Sequence, residues 1–444
     1  MFGTDGVRGQ APRELTPELA LAVGAAMVAE LPPAPLVLLG RDTRVSGPLL
    51  EAAAVAGIAA AGGTAKLLGI VPTPAVAALV PRLGADAGLV ISASHNPPEY
   101  NGLKLLDAGG RKWPPEREHA VAERVARREQ AWVAWDAVGG AQAASDHVAL
   151  YRDSLVARFA GRVGPGRVVV DLGSGAAVAT VPPVLEALGF EVAVLNGTAD
   201  GRRINQGTGA THPHVVARAV VEQGADVGFA FDGDADRVIA AGADGQIVDG
   251  DGILYLLARG LDAQGRLPHQ EVVGTVMANL GLERALEASG LHLHRTPVGD
   301  RWVARAMGDR GTAVGGEQSG HIILSEWAVT GDGLLTALAI LAEMRRTGAP
   351  LASLVAPMPR YPQRLDNVRL PAVGFRWEAL PGVGDALAAC TAALGDDGRL
   401  VVRASGTEPL LRIMIEGRDA AVVQRWADRL TTVVRQALTS EQRG

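Results

Sequence analysis

The sequence predicts an α/β protein of several domains that closes on a smaller α+β domain. Short apolar runs of strand type alternate with Ala-rich helical segments over most of the 444 residues. The length exceeds that of one ordinary domain, and 48% of the residues are hydrophobic, enough for a sizeable core. The final stretch breaks the alternation, with strands and helices grouped differently.

The elements follow in order. "LVLLG" (36–40) reads as a buried strand, and Ser46–Gly47–Pro48 opens an Ala-rich helix. "GLVIS" (88–92), "RVVVD" (167–171), "DVGFAF" (226–231), "VVGTVM" (272–277) and "TAVGG" (312–316) are further buried-type strands. Their alternation with helices is the pattern of parallel α/β units. "RLDNVRLP", "GRLVVRAS" and "LLRIMIEG" are strands of another kind, flanked by helices over 384–394 and 420–438. Boundaries near 146, 249 and 361 divide the chain into 1–145, 146–248, 249–360 and 361–444.

The net charge of −6 and the lack of a dominant basic tract argue against a nucleic-acid protein. One cysteine, Cys390, excludes an intrachain disulfide and a multi-cysteine zinc site. The longest apolar run, 19–29, is too short to span a membrane, and no signal peptide is evident. A cytoplasmic protein, monomeric or homodimeric, is expected. The basic residues are almost all arginine; lysine occurs only at 66, 104 and 112.

In open α/β sheets ligands bind beyond the carboxyl ends of strands, and several strands here end in polar or glycine-rich motifs. In "FDGDADR" (231–237), Asp232, Asp234 and Asp236 follow an apolar strand. Three carboxylates this close repel one another, and a divalent cation removes the penalty; hard oxygen ligands suit magnesium. An EF-hand fails, because Arg237 and Ala243 stand where glycine and an acid are needed. A solvated acidic turn fits poorly after so apolar a strand.

"SASHNP" (92–97) places Ser94 beside His95. Neighbouring side chains on a strand point opposite ways, and no G-x-S-x-G elbow is present, so a serine hydrolase is disfavoured. A serine facing a metal site suits phosphoryl transfer better. "RASGTEPLLR" (403–412) offers Arg403, Ser405, Gly406, Thr407 and Arg412 as a phosphate cradle. "GGEQSGH" (315–321) offers Glu317, Gln318 and Ser319 to read sugar hydroxyls or an amine, with His321 titratable near neutral pH. "FGTDGVRG" puts Arg8 in a glycine-rich loop, "NGLKL" brings Lys104 shortly after the serine, and "GRDTR" places Arg41 after a strand. "DLGSGAAV" has Val178 where a dinucleotide fingerprint needs its third glycine, which disfavours a nicotinamide enzyme.

Together, "FGTDGVRG", "SASHNP", "FDGDADR", "GGEQSGH" and "RASGTEP" resemble the α-D-phosphohexomutase superfamily, with the third-domain and C-terminal motifs in the form of its phosphoglucosamine mutase branch. The resemblance spans nearly the whole chain, in order. It implies four domains around a central cleft: three similar mixed α/β domains and a C-terminal α+β phosphate-binding domain. It implies Ser94 as a phosphoserine, which with Asp232, Asp234 and Asp236 binds Mg2+. Arg8, His95, Lys104 and His321 take catalytic roles, and Arg237 joins the substrate-binding residues. The implied reaction interconverts glucosamine 6-phosphate and glucosamine 1-phosphate through a bisphosphate, toward UDP-N-acetylglucosamine and the cell wall. The partner is a small sugar phosphate, with no nucleic acid or membrane. The resemblance leads us to expect a few more residues before Phe2–Gly3, and a looser Arg8 loop without them. Phosphomannomutase or phosphoglucomutase of the same superfamily is the alternative reading. A sugar-phosphate-binding regulator would not need both Ser94 and three aspartates. A magnesium-dependent phosphatase would not need to rebind a second phosphate.

Overall fold

The computed structural model describes residues 3, 6–129, 132–405 and 409–441. Gly406 and Thr407 of the expected cradle lie outside these described residues. Two compact units divide the chain: Met1–Thr275 with His294–Ala356, and Val276–Leu293 with Pro357–Gly444.

The first unit holds three sheets. The first sheet comprises β1 (Val7–Gln10), β2 (Leu36–Arg41), β3 (Thr64–Ile70), β4 (Ala87–Ile91), β5 (Tyr100–Asp107) and β6 (Ala141–Ala143), in the order β1-β5-β4-β2-β3-β6. The second comprises β7 (Arg167–Asp171), β8 (Glu191–Leu195), β9 (Val227–Phe231), β10 (Val238–Gly242) and β11 (Ile247–Val248), in the order β11-β10-β9-β7-β8. The third comprises β12 (Glu271–Thr275), β13 (His292–Thr296), β14 (Val314–Gly316) and β15 (Ile322–Leu324), in the order β13-β12-β14-β15. The central strands are wholly apolar because helices cover both faces, as β4 and β9 show: every residue in each is buried.

Parallel units were expected, and the cores are parallel: β2 with β4, β7 with β9, and β12 with β14. Each sheet departs from that pattern at the same place. The chain reverses at once after β4, β9 and β14, and the next strand runs back antiparallel: β4 with β5, β9 with β10, β14 with β15. The three motif loops are the turns of these three reversals. "SASHNP" joins β4 to β5, "DGDADR" joins β9 to β10, and "EQSGH" joins β14 to β15. Arg8 is not in a loop as expected. It stands on β1, paired antiparallel with β5 at Gly102, so the strand ladder fixes its backbone.

The second unit has one antiparallel sheet of β16 (Gln363–Arg369), β17 (Gly398–Ala404) and β18 (Leu410–Gly417), in the order β16-β18-β17. The helices Val383–Leu394 and Ala420–Glu441 cover it, and Cys390, Leu411, Ile413, Ile415 and Leu430 form its core. The segment Val276–Leu293, which sequence order assigns to the third α/β domain, belongs to this unit. Asn279 exchanges two hydrogen bonds with the Tyr361 backbone, and Leu280 N–H donates to Glu416. Arg399 clamps the fully buried Glu416 and also donates to the Ala278 carbonyl. Among the described residues no helix is long and apolar enough to cross a membrane.

Candidate active site

Ser94 lies one turn beyond β4, and its backbone is left-handed, with φ at +51°. A non-glycine residue held there stores about 1 kcal/mol or more, so its surroundings must impose it. They do so through Arg44. Its guanidinium is fully buried and donates to the carbonyls of Ser94 (3.0 Å), Asn96 (2.8 Å), Pro97 and Tyr100 (2.7 Å). Asp42 accepts from Arg44 Nε and from Ser92 Oγ, while Ser92 Oγ accepts from Ser94 N–H. Burial pushes the Asp42 carboxyl up and Arg44 draws it back, which leaves a compensated pair. Asn205 Nδ2 adds hydrogen bonds to the Ser94 and Asn96 carbonyls. Sequence reasoning missed Arg44, Asp42 and Asn205. It singled out Arg41, which instead pairs with Glu51 at 2.9 Å. The available signal was the i, i+2 spacing of Asp42 and Arg44 past a buried strand.

Adjacent side chains do not diverge here as they would on a strand, since both residues sit in the turn. Ser94 Oγ and His95 Nδ1 are 3.5 Å apart, too long for an effective base. The serine proton points elsewhere: Oγ donates to Asp232 at 2.6 Å. His95 Nδ1 accepts from Arg237 at 2.7 Å, so its neutral ring carries its proton on Nε2. A serine–histidine dyad is therefore absent from this geometry.

Asp232, Asp234 and Asp236 are buried, with a carboxylate oxygen from each within 4.8 Å of the others. The Asp232 carboxyl is raised well above the usual range, by burial first and then by Asp236 and Asp234. Asp236 Oδ1 accepts no hydrogen bond among the described residues, and Arg237 Nε lies 3.8 Å from it. Lys104, almost fully buried, reaches in from β5 to Asp234 at 2.7 Å and Asp236 at 3.4 Å. Thr73 donates to Asp234 through both its backbone and its hydroxyl. Three buried carboxylates this close, served by one ammonium and two hydroxyls, suit a divalent cation held by oxygen. Arg8 Nη1 donates to Asn96 at 3.0 Å, which keeps that guanidinium on the serine loop.

Glycines seat the loops against one another. A Cβ on Gly233 would stand 2.5 Å from the Ser94 carbonyl. One on Gly320, whose φ is +91°, would stand 2.2 Å from the Val238 carbonyl. One on Gly333 would stand 2.7 Å from the Arg237 carbonyl. Val238 N–H donates to Gly320 O and Gly333 N–H donates to Ala235 O, so the β14–β15 turn and the helix Gly333–Thr347 both brace the aspartate loop.

In the β14–β15 turn, Glu317 accepts from Gly299 N–H at 3.0 Å and lies 3.5 Å from Ser319 Oγ. Gln318 is held by its carbonyl, which accepts from Gly250 N–H. His321 is 1% exposed; its Nε2 accepts from Gly331 N–H at 3.2 Å and lies 3.4 Å from Asp300. Accepting there leaves the neutral ring with its proton on Nδ1, an atom without a partner among the described residues.

In the second unit, Arg403 on β17 stands directly opposite Arg412 on β18. Like charges at such a pair are unfavourable. Arg403 is held below the usual guanidinium range by burial and by Arg412. The buried Ser405 donates its N–H to the Leu410 carbonyl at the same turn. Two arginines paired across neighbouring strands are of the chemistry that suits an anion.

The chain is similar to known proteins over nearly its whole length. The chain matches the phosphoglucomutase/phosphomannomutase alpha/beta/alpha domains I, II and III over residues 1–132, 149–245 and 249–361, and the C-terminal domain over 365–433. A phosphoglucosamine mutase of Frankia alni is 46% identical, covering 99% of this chain and 98% of the relative. One of Moorella thermoacetica is 47% identical over 94% and 95%. Among solved structures, a phosphoglucomutase/phosphomannomutase family protein of Burkholderia thailandensis superimposes with a TM-score of 0.81 at 25% identity, covering 98% of each chain. The N-acetylphosphoglucosamine mutase of Aspergillus fumigatus, in complex with GlcNAc-6P and magnesium, does so with 0.69 at 19% identity over 98% and 96%, a likeness of fold. With four matching domains and near-complete relatives at this identity, the chain belongs to the phosphoglucosamine mutase family, a group of isomerases within the phosphohexomutases.

Proposed function

We propose that Ser94 carries the phosphoryl group by which this mutase interconverts glucosamine 6-phosphate and glucosamine 1-phosphate. The observation that carries the reading is the 2.6 Å hydrogen bond from Ser94 Oγ to Asp232, inside a buried cluster of three carboxylates. A hydroxyl in that setting gains anionic oxygens once phosphorylated, and Asp232, Asp234 and Asp236 with the phosphoserine form the oxygen ligand set that Mg2+ prefers. Bound there, the ion would neutralise the phosphoryl oxygens and lower the barrier to their transfer.

The chain's own residues do the rest. In the first transfer the bond from Ser94 Oγ to phosphorus breaks, a sugar hydroxyl oxygen takes the phosphoryl group and gives up its proton, and Ser94 Oγ takes a proton in exchange; the second transfer reverses this proton exchange. The bisphosphate formed presents its other end, and the second phosphoryl group returns to Ser94 Oγ. Lys104 supplies fixed positive charge beside Asp234, and Arg8 supplies it beside the serine loop. His95, with its proton on Nε2, and His321, with its proton on Nδ1, are donors to oxygens that gain charge. Arg237 holds His95. Glu317, Gln318 and Ser319 read the sugar, and Glu317 supplies a carboxylate for the C2 amine. Arg403, Ser405, Gly406, Thr407 and Arg412 take the phosphate that is not reacting.

The test is intact mass with peptide mapping, followed by turnover. The active protein should carry one phosphoryl group on Ser94, chelation should stop turnover, and Mg2+ should restore it. Full turnover in excess chelator, or a phosphoryl group mapped to another residue, overturns the assignment. The substrate is tested separately: glucosamine 6-phosphate should have a higher kcat/KM than glucose or mannose 6-phosphate.

A further inference from the structure

A cavity lies away from the serine and aspartate loops. It encloses about 630 Å³, within the range of roughly 300–1,000 Å³ that small-molecule sites span. Its walls come from the helices Val148–Phe159, Gly250–Ala263 and Gly333–Thr347 and from the turn after β15. None of the residues that surround Ser94 or the aspartates lines it.

Its lining has two characters. Phe159, Leu257, Leu261 and Leu324 make one side apolar. The other side carries Arg162, Arg266, Arg345 and Arg346 against only two acids, Glu326 and Glu343. Both acids are already engaged: Glu326 with Arg266, and Glu343 with Arg346 at 2.7 Å. The side chains of Arg162 and Arg345, both exposed, have no acidic or hydrogen-bonding partner among the described residues. A fifth guanidinium, Arg158, lies 5.4 Å from the Trp327 ring centre, and Arg266 lies 5.2 Å from it. Burial holds Arg158 below its ordinary range, Glu326 and Asp332 draw it back up, and Arg162 adds a smaller push down.

The last turn of a helix favours cations, which accounts for Arg345 and Arg346 on their own helix. It does not account for Arg162, which follows a different helix, or for Trp327 in the same lining. Two guanidiniums without acidic partners and an indole in one lining fit a ligand that is anionic at one end and flat and apolar at the other.

We propose that this cavity binds a nucleotide, with its phosphates on Arg162 and Arg345 and its base against Trp327. Such a ligand would join the helix Val148–Phe159 to the helix Gly333–Thr347 and so act on turnover from outside the reacting centre.

The experiment is calorimetric titration of the full chain with ADP, UDP and inorganic pyrophosphate, at saturating glucosamine 1-phosphate to block the phosphate sites of the reaction. Either nucleotide should bind under that block, and more tightly than pyrophosphate. The double variant Arg162→Ala/Arg345→Ala should weaken it at least tenfold, with unchanged turnover in the absence of nucleotide. Arg162→Glu should weaken it further than Arg162→Ala. Trp327→Leu should reduce nucleotide affinity to that of pyrophosphate. The proposal is overturned if no nucleotide binds, if glucosamine 1-phosphate displaces it, if the double variant binds as wild type does, or if pyrophosphate binds equally well.

Discussion

At the scale of the residue, the decisive feature is Ser94, held at φ +51° with its hydroxyl on Asp232. Glycine reaches that backbone without strain and alanine does not. Ser94→Ala and Ser94→Gly should therefore both abolish turnover, while the glycine variant is more stable than the alanine variant by about 1 kcal/mol. Equal unfolding midpoints would show that the turn is unstrained, and residual turnover in either would dismiss the carrier role. Arg44 is a positioning residue: it touches four carbonyls of the loop and no reacting group. Lysine keeps the charge but loses the planar fork. Arg44→Lys should lower kcat by about 10–100-fold with little change in KM, as a displaced carrier would. An unchanged kcat, or a rise in KM alone, would count against it. Asp332 gives a pH test. It caps the helix Gly333–Thr347, accepts from Tyr151, and is raised from 3.8 to about 6, by burial first. The folded state thus holds this proton more tightly than the unfolded state. The group's contribution is full below about pH 3.8 and is lost as pH rises through about 6. Asparagine keeps the cap without ionising. Between pH 4 and 7 the stability of Asp332→Asn should improve relative to wild type by on the order of 2–3 kcal/mol. Parallel urea-unfolding curves across that range would refute it.

At the scale of the element, the sequence shows strands and the motifs that follow them, because apolar runs ending in polar turns are visible in one dimension. It does not show that the chain reverses after β4, β9 and β14. A buried parallel strand and a buried antiparallel strand have the same apolar composition, so nothing local distinguished "NGLKL" as a returning partner of "GLVIS". That reversal places Lys104 opposite Val90, and from there it reaches the aspartates. The aspartates and Ser94 were legible because their residue types have little other use after an apolar strand. Arg44 and Asn205 were not, because they act on backbone carbonyls, and a carbonyl leaves no mark in a sequence. Arg403 and Arg412 were legible as residues but not as a pair; their cross-strand register is the added fact. Removing either charge relieves the repulsion. Arg403→Gln should leave unfolding of the protein in phosphate-free buffer unchanged or slightly later, yet remove most of the stabilisation that added phosphate gives. A variant stabilised by phosphate as fully as wild type would refute the cradle.

At the scale of the whole molecule, the second unit recruits Val276–Leu293 from earlier in the chain. Glu416 is fully buried between Arg399 and the Leu280 N–H, and Arg399 also holds the Ala278 carbonyl. A fragment starting at Pro357 would open that network to water. It should unfold well below the same fragment joined to 276–293 by a flexible linker, as followed by circular dichroism on heating; equal midpoints would mean that the segment adds nothing. The glycines around the aspartate loop have a consequence for how such a protein is read by mutation. Gly233, Gly320 and Gly333 press on the carbonyls of Ser94, Val238 and Arg237 with no room for one methyl group. A survey of substitutions scored only by growth would rank these three beside Asp232, although none bears a reacting atom. Scoring abundance in parallel would separate them: the glycine variants should vanish from the cell, while an aspartate variant should persist as an intact, silent protein.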